Sequence, residues 1–303
     1  MRRPSATTRF PLRRLAVACS LATLAALVLA PVASAHLLAP QDASPNADHI
    51  STLYTITLVI AAIIFVIVEG TLLYALIHFR ARKGRVAAQI HGNTRLEIGW
   101  TVGAAAILVG LAVVTFALLN SIRKPEASSA NGLSAKDVPV LVSSDAIKPP
   151  HGPYLTIQVN GQQYVWRYSY LNYGKAADGL DNPYGYYQMV VPTNTTIVLK
   201  VVAQDVVHSW WVPDLGGKVQ ADPGYPNWTW FKIAKAGNYF GQCAFICGVG
   251  HARMQAEVTA VPPAQFVAWI HTREQQIAAA NAAQEKARAA EQHKTGSAAV
   301  EVR

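Results

Sequence analysis

The chain has 303 residues, of which 51% are hydrophobic and only 14% charged, whereas about a quarter of the residues of an ordinary soluble protein carry charge. Part of it therefore belongs in lipid. The formal charge of +9 does not point to nucleic acid: five bases precede residue 36, five more fall within 80–96, and the remainder is close to neutral, so no clustered basic face is left to follow a phosphate backbone.

The first element is an export signal over 1–35. Arg13 and Arg14 precede the apolar run "LAVACSLATLAALVLAPV", and "ASA" at 33–35 supplies the small residues behind which a signal peptidase cuts. The mature chain is then expected to begin at His36. An uncleaved third span is the alternative. Cys19 lies inside the apolar run only a few residues after the arginines, with Ala16 where a lipobox has Leu, which argues against lipidation.

A transmembrane hairpin follows over 36–120. Residues 53–79 and 98–119 each exceed the roughly 20 apolar residues that cross a bilayer core. The loop 80–96 holds five Lys or Arg and no acid, while 36–52 carries Asp42 and Asp48 and no Lys or Arg. By the positive-inside rule the loop is cytoplasmic and both ends of the mature chain lie outside. Glu69, within the first span, is costly to expose to lipid and is expected to face protein or water.

Residues 121–150, including "KPEASSANGLSAKD", read as a linker. From 154 onward the pattern changes to short runs rich in β-branched and aromatic residues: "YLTIQVNGQQYVWRYSY", "YYQMVV", "TTIVLKVVAQ", "TWFKI" and "NYFGQC", separated by "NP", "PTN", "DPG" and "KAGN". These predict a β-sandwich or small barrel over 151–262. The Ala, Glu, Gln and Lys-rich stretch 263–303 predicts a helix running into a disordered tail. With no C-x-x-C-H motif, no covalently attached haem is predicted.

The most informative stretch is "GQCAFICGVGHARM", residues 241–254. Once a signal is removed, Cys243 and Cys247 are the only cysteines, in a domain facing an oxidising compartment. A disulfide is one reading, but closing so short a loop stabilises little and leaves His251 and Met254 without a role. Thiolate, imidazole and thioether together select copper over hard cations, and a zinc site has little use for the methionine. A mononuclear blue-copper site uses one thiolate, so the second points to two metals. "DVVHSWWVPDLGGK" adds His208 at the end of a strand-like run, beside aromatics that exclude water.

These two stretches and the hairpin resemble subunit II of the haem–copper cytochrome c oxidases over residues 36 to about 270. The resemblance implies a Greek-key, cupredoxin-like domain holding a binuclear copper centre (CuA). Cys243 and Cys247 are expected to bridge two coppers through sulfur, His208 and His251 to give one ring nitrogen each, Met254 to be a weak ligand, and Phe245 to contribute its backbone carbonyl. It further implies electrons arriving from cytochrome c and leaving to haem in subunit I, with subunit III as a further partner, in a bacterial inner membrane with the copper domain on the periplasmic side. "NTRLEIGWT" matches the family's start of the second helix, and Glu97 falls where the family has an acid near the mouth of a proton path.

The departures are informative. Where most members place a Glu that ligates magnesium, this chain has Phe245, and Gln220 replaces an acid in "GGKVQADPG", which puts a magnesium site in doubt. Tyr164 replaces the tryptophan through which cytochrome c delivers its electron, and Trp166 is retained. Residues 130–260 hold nine bases and eight acids, so a strongly acidic docking face is not evident. Quinol-oxidase subunits share the architecture but lack the copper ligands. A membrane-tethered copper carrier is the alternative of a different class, and nitrous-oxide reductases, which share the centre, need a second catalytic domain that is absent from this sequence.

Overall fold

The computed structural model describes residues 43–81, 84, 86, 89–140, 142, 147–174 and 182–300, with side chains to Gln292. The export signal lies outside the described residues. Two long helices come first, α1 (Pro45–His78) and α2 (Thr94–Arg123). Both are long and apolar enough to cross a membrane, and each extends several residues beyond its predicted apolar run. For α2 the extension has a local cause. Asn93 caps the helix, its side chain accepting from the Leu96 amide at 3.2 Å, while the Glu97 carboxylate accepts from the Asn93 amide at 3.3 Å. Reciprocal capping of this kind satisfies amides that the first turn leaves without partners.

Ten strands then form two five-stranded sheets. The first has the order β3 (Tyr184–Tyr186), β2 (Val165–Tyr170), β1 (Tyr154–Gln162), β5 (Thr196–Ala203), β8 (Asn227–Lys232). The second runs β4 (Gln188–Pro192), β10 (Gln255–Val261), β9 (Gly237–Cys243), β6 (His208–Trp211), β7 (Val219–Ala221). Each sheet contains one parallel pair, β1 with β5 and β10 with β4, the other pairs being antiparallel. Inward residues alternate along the strands as a pleated, half-buried sheet requires: Leu155, Ile157 and Val159 of β1 and Ala256, Val258 and Ala260 of β10 are buried in one core with Leu199, Val201 and Phe231. The strand β10 was not among the predicted ones, although "QAEVTAV" alternates with the same period; its small alanines hid it.

Residues 124–138, within the stretch read as a linker, are laid along the sandwich. The Thr196 hydroxyl donates to the Glu126 carbonyl at 2.7 Å, the Thr196 amide to the Ser128 hydroxyl at 2.9 Å, and the Leu133 amide to the Thr195 hydroxyl at 2.8 Å. Leu133 and Val138 are buried in the core. The two helices attach at the same end of the first sheet: Trp230 Nε1 donates to the Ile122 carbonyl at 2.9 Å, and Asn46 Nδ2 donates to the Trp230 carbonyl at 2.7 Å. The C-terminal helix α3 (Pro263–Val300) closes the other side, burying Phe266 and Ile270 against Tyr170 and Tyr173. It is the helix predicted for this stretch, and its described side chains beyond Asn281 are exposed.

Candidate metal centre

The cysteine loop leaves β9 at Cys243 and returns into β10 after a single 3-10 turn, His251–Arg253. Two backbone bonds pin its base: the Cys243 amide donates to the Met254 carbonyl at 2.9 Å, and the Ala244 amide to the Ser209 carbonyl at 2.8 Å. Because β6 pairs with β9, with Trp210 opposite Cys243, the start of β6 swings His208 over the same point. His208 begins this strand instead of ending the preceding one. A bend over 204–206 turns the chain from the first sheet into the second, and that crossing brings a histidine more than thirty residues upstream to the cysteines.

Both cysteines are free and buried, with Sγ atoms 3.9 Å apart. His208 Nδ1 lies 3.9 Å from Cys243 Sγ, His251 Nδ1 3.6 Å from Cys247 Sγ, and Met254 Sδ 4.0 Å from Cys247 Sγ. The Phe245 carbonyl oxygen is 3.3 Å from Cys243 Sγ. Donor atoms of His208, Cys243 and Cys247 all fall within 4.8 Å of one another. The six expected donors are thus linked as successive neighbours, each within 4.0 Å of one of the two sulfurs. Two thiols, two imidazoles and a thioether form a soft set that suits copper and is ill matched to hard cations. Phe245 has no side-chain oxygen, so the residues between the cysteines do not fit magnesium.

Electrostatics divide the thiols. Burial raises the pKa of Cys243, but the hydrogen bond with His208 and those from the backbone outweigh it and the net shift is downward. Cys247 moves up, through burial and the charge of Cys243 beside it. Without metal, the pair gives up its first proton readily and its second reluctantly. A bound soft cation would reverse that second cost, since a coordinating thiol is deprotonated outright.

His208 is held from behind. Its Nε2 lies 2.8 Å from Asp205 Oδ1, which assigns the ring proton to Nε2 and leaves the Nδ1 lone pair on the sulfur side. Burial disfavours the imidazolium, yet the bonds to Cys243 and Asp205 raise the His208 pKa overall. Partial burial likewise opposes the Asp205 charge. Hydrogen bonds from His208 and from the Gln163 and Val206 amides, the last two at 2.6 and 2.7 Å, prevail and keep its carboxyl below the usual range. Asp205 is a site residue that the sequence reasoning missed, although an acid three positions before the histidine in "DVVH" was the available signal.

Gln163 was missed as well: its side-chain amide donates to the Cys247 carbonyl at 2.7 Å. Beside it, Tyr164 lies across the loop. Gly248 has φ +131°, and a Cβ there would come within 2.5 Å of the Tyr164 hydroxyl, so both backbone and space require glycine. Tyr164 and Trp166, both expected at the point of electron entry, differ in exposure. Trp166 is fully buried, edge-on to His208 with ring centroids 5.8 Å apart; it shields the site, and of the two only Tyr164 offers surface. Glu97 belongs to the α2 cap, far along the chain from this cluster.

Known proteins give the same picture. The profile for the transmembrane domain of cytochrome c oxidase subunit II matches residues 33–118, and that for its periplasmic domain matches residues 184–261. Cytochrome c oxidase subunit 2 of Cereibacter sphaeroides is 32% identical over 259 residues, covering 76% of this chain and 77% of that protein. The subunit 2 of Cyanidium caldarium is 30% identical over 249 residues, covering 76% and 88%. Among solved structures, the periplasmic domain of subunit II of cytochrome oxidase from Bradyrhizobium japonicum is 33% identical, with a TM-score of 0.37, covering 41% of this chain and 95% of that one. With both profiles matched in one chain and a relative 32% identical over three quarters of each protein, the chain belongs to the cytochrome c oxidase subunit II family.

Proposed function

We propose that this chain receives electrons for a haem–copper oxidase. In this reading Cys243, Cys247, His208, His251, Met254 and the Phe245 carbonyl hold a binuclear copper centre. Electrons come from cytochrome c or a similar small redox protein, and they pass to haem in partner subunit I, where oxygen is reduced to water with proton pumping. The observation that carries the proposal is the convergence of two free, buried thiols with two imidazoles and a thioether, every neighbouring pair within 4.0 Å. Held by these residues, copper would supply one-electron chemistry.

The protein's part is to keep the shape of the donor set. Asp205 fixes the tautomer and tilt of His208, the loop base is tied to β6 and β10, and Trp166 and Trp210 exclude water from one side. Electrostatic preorganisation of this kind removes the need to rearrange dipoles when charge moves. Helices α1 and α2 anchor the domain, with the Lys and Arg-rich loop on the cytoplasmic side and the sandwich in the periplasm. Partner subunits I and III and membrane lipid complete the surroundings of the hairpin.

Metal analysis and electron paramagnetic resonance of the oxidised complex test the proposal. The expected result is about two tightly held coppers per chain and one unpaired electron shared equally by two nuclei. One labile copper with a mononuclear signal would instead identify a copper carrier. A narrower prediction concerns Asp205. Replacing it with Ala is expected to weaken copper retention against a chelator by about 10–100-fold, the usual cost of losing the carboxylate behind a ligating histidine. Thermal stability of the metal-free chain should change little, because Asp205 is at the surface edge; equal retention by both proteins would show that the carboxylate does not position the ring.

A further inference from the structure

The two apolar runs of the hairpin contain a single acid, Glu69. It precedes Phe79, the end of the first run, by ten residues. At about 1.5 Å per residue that sets it roughly 15 Å from the cytoplasmic end, near the middle of a bilayer core about 30 Å thick. Glu69 is exposed and makes no hydrogen bond or ion pair among the described residues. The nearest hydroxyl on α1, that of Thr71, is bonded to the Ile67 carbonyl at 2.7 Å. The nearest base, His78, stacks on Tyr74 a further nine residues along, and the run 98–119 of α2 holds no ionisable residue.

Packing of the hairpin decides where this carboxyl points. Helices α1 and α2 pack on each other, and their half-buried residues fall on one stripe of each helix: Leu53, Ile56 and Ile60 on α1, Leu111, Val114 and Leu118 on α2. Glu69 follows Ile60 by nine residues, about two and a half turns at 3.6 residues per turn, so it lies on the side of α1 turned away from α2. Around it on that side, Val66 is 68% and Leu76 73% exposed. The outward face of α1 is therefore apolar with one carboxyl near its centre.

That carboxyl restricts what covers the face. Lipid tails offer no hydrogen-bond donor, and an acid left among them is costly. A second copy of this chain would set acid against acid, because the hairpin has no base at that depth. A different membrane protein has to supply the donor. We propose that Glu69 is the polar contact that fixes α1 on partner subunit I: its carboxyl accepts a hydrogen bond, at mid-membrane depth, from a donor side chain on one of that subunit's helices. The inference rests on the oxidase function proposed above, which requires subunit I as a neighbour, and adds the side of the hairpin that meets it and the residue that sets the register. Apolar packing alone distinguishes poorly between a neighbouring helix and lipid, whereas a hydrogen bond between helices distinguishes them.

The test uses the oxidase complex purified through a tag on this chain, as wild type, Glu69→Leu and Glu69→Gln. After equal washing in detergent, Glu69→Leu is expected to retain about fivefold less haem per copper than wild type, the scale of one hydrogen bond between membrane helices. Glu69→Gln is expected to stay within about twofold of wild type, since its carbonyl still accepts. Leucine suits lipid better than glutamate, so a Glu69→Leu complex with wild-type haem would show that this side faces lipid and overturn the proposal. A Glu69→Gln complex as depleted as Glu69→Leu would overturn it too. A second measurement leaves Glu69 in place: a photoreactive benzoylphenylalanine replaces Leu76, seven residues on and on the same side of α1. Its expected product joins this chain to the haem-bearing subunit, identified by mass. Products only with lipid, with a second copy of this chain or with any other subunit overturn the proposal. A wild-type preparation with neither haem nor a shared-electron copper signal refutes the underlying function instead, and is read without any variant.

Discussion

Replacing Cys243 with Ser is expected to abolish the copper centre while leaving the sandwich folded. The hydroxyl is nearly isosteric, and its proton still reaches the Phe245 carbonyl that the thiol faces at 3.3 Å. It does not ionise near neutral pH, however, and it is a hard donor where a soft anion is needed. Cys247→Ser should fail in the same way, since neither sulfur alone serves two metals. Copper content, the visible absorption and the paramagnetic signal are the readouts, with circular dichroism as the folding control. Met254→Leu provides the graded comparison. Met254 is fully buried, so a swap of similar volume keeps the fold at a cost below about 1.5 kcal/mol. It removes only a weak donor, and the expected result is a retained centre with a shifted potential. A Cys243→Ser protein with wild-type copper content and signal would refute the ligand assignment.

The second large effect is expected from Gly241→Ala, which touches no donor atom. A Cβ at Gly241 would lie 2.0 Å from the Trp211 carbonyl oxygen and 2.7 Å from a Val212 methyl. Both β9 and β6 would have to separate, because the obstruction is backbone. Overpacking of this kind costs about 3 kcal/mol, which for a domain of this size lowers the melting temperature by about 10 °C. The strain falls where it matters for the site: Gly241 is two residues before Cys243, and β6 carries His208. Copper affinity is therefore expected to fall along with stability. A melting temperature within two or so degrees of wild type, read by calorimetry on the metal-free chain, would show that the two strands yield more easily than their packing indicates.

Much of this protein was legible in its residues. Long apolar runs specify helices that cross a bilayer because lipid leaves backbone polar groups no partner outside the segment, and α1 and α2 contain the predicted runs save Phe79, which caps α1. The loop from Cys243 to Met254 was equally legible, since donors four and seven residues beyond Cys247 encircle one point by local geometry alone, and chemical softness names the metal class. Those conclusions depend on composition and on spacing along the chain.

Other features depend on which segments lie side by side. His208 was placed at the end of a strand, whereas pairing of β6 with β9 makes it the first residue of one and aims it at the thiols. Asp205 and Gln163 join the site from turns on the opposite sheet, Trp166 proved to be a buried shield, and residues 124–138 dock on strands that begin dozens of positions later. Local pattern records how apolar and polar side chains alternate, which is enough to identify a strand. Its neighbours in the sheet are selected by long-range packing of complementary faces, so burial and second partners became visible only in the folded chain.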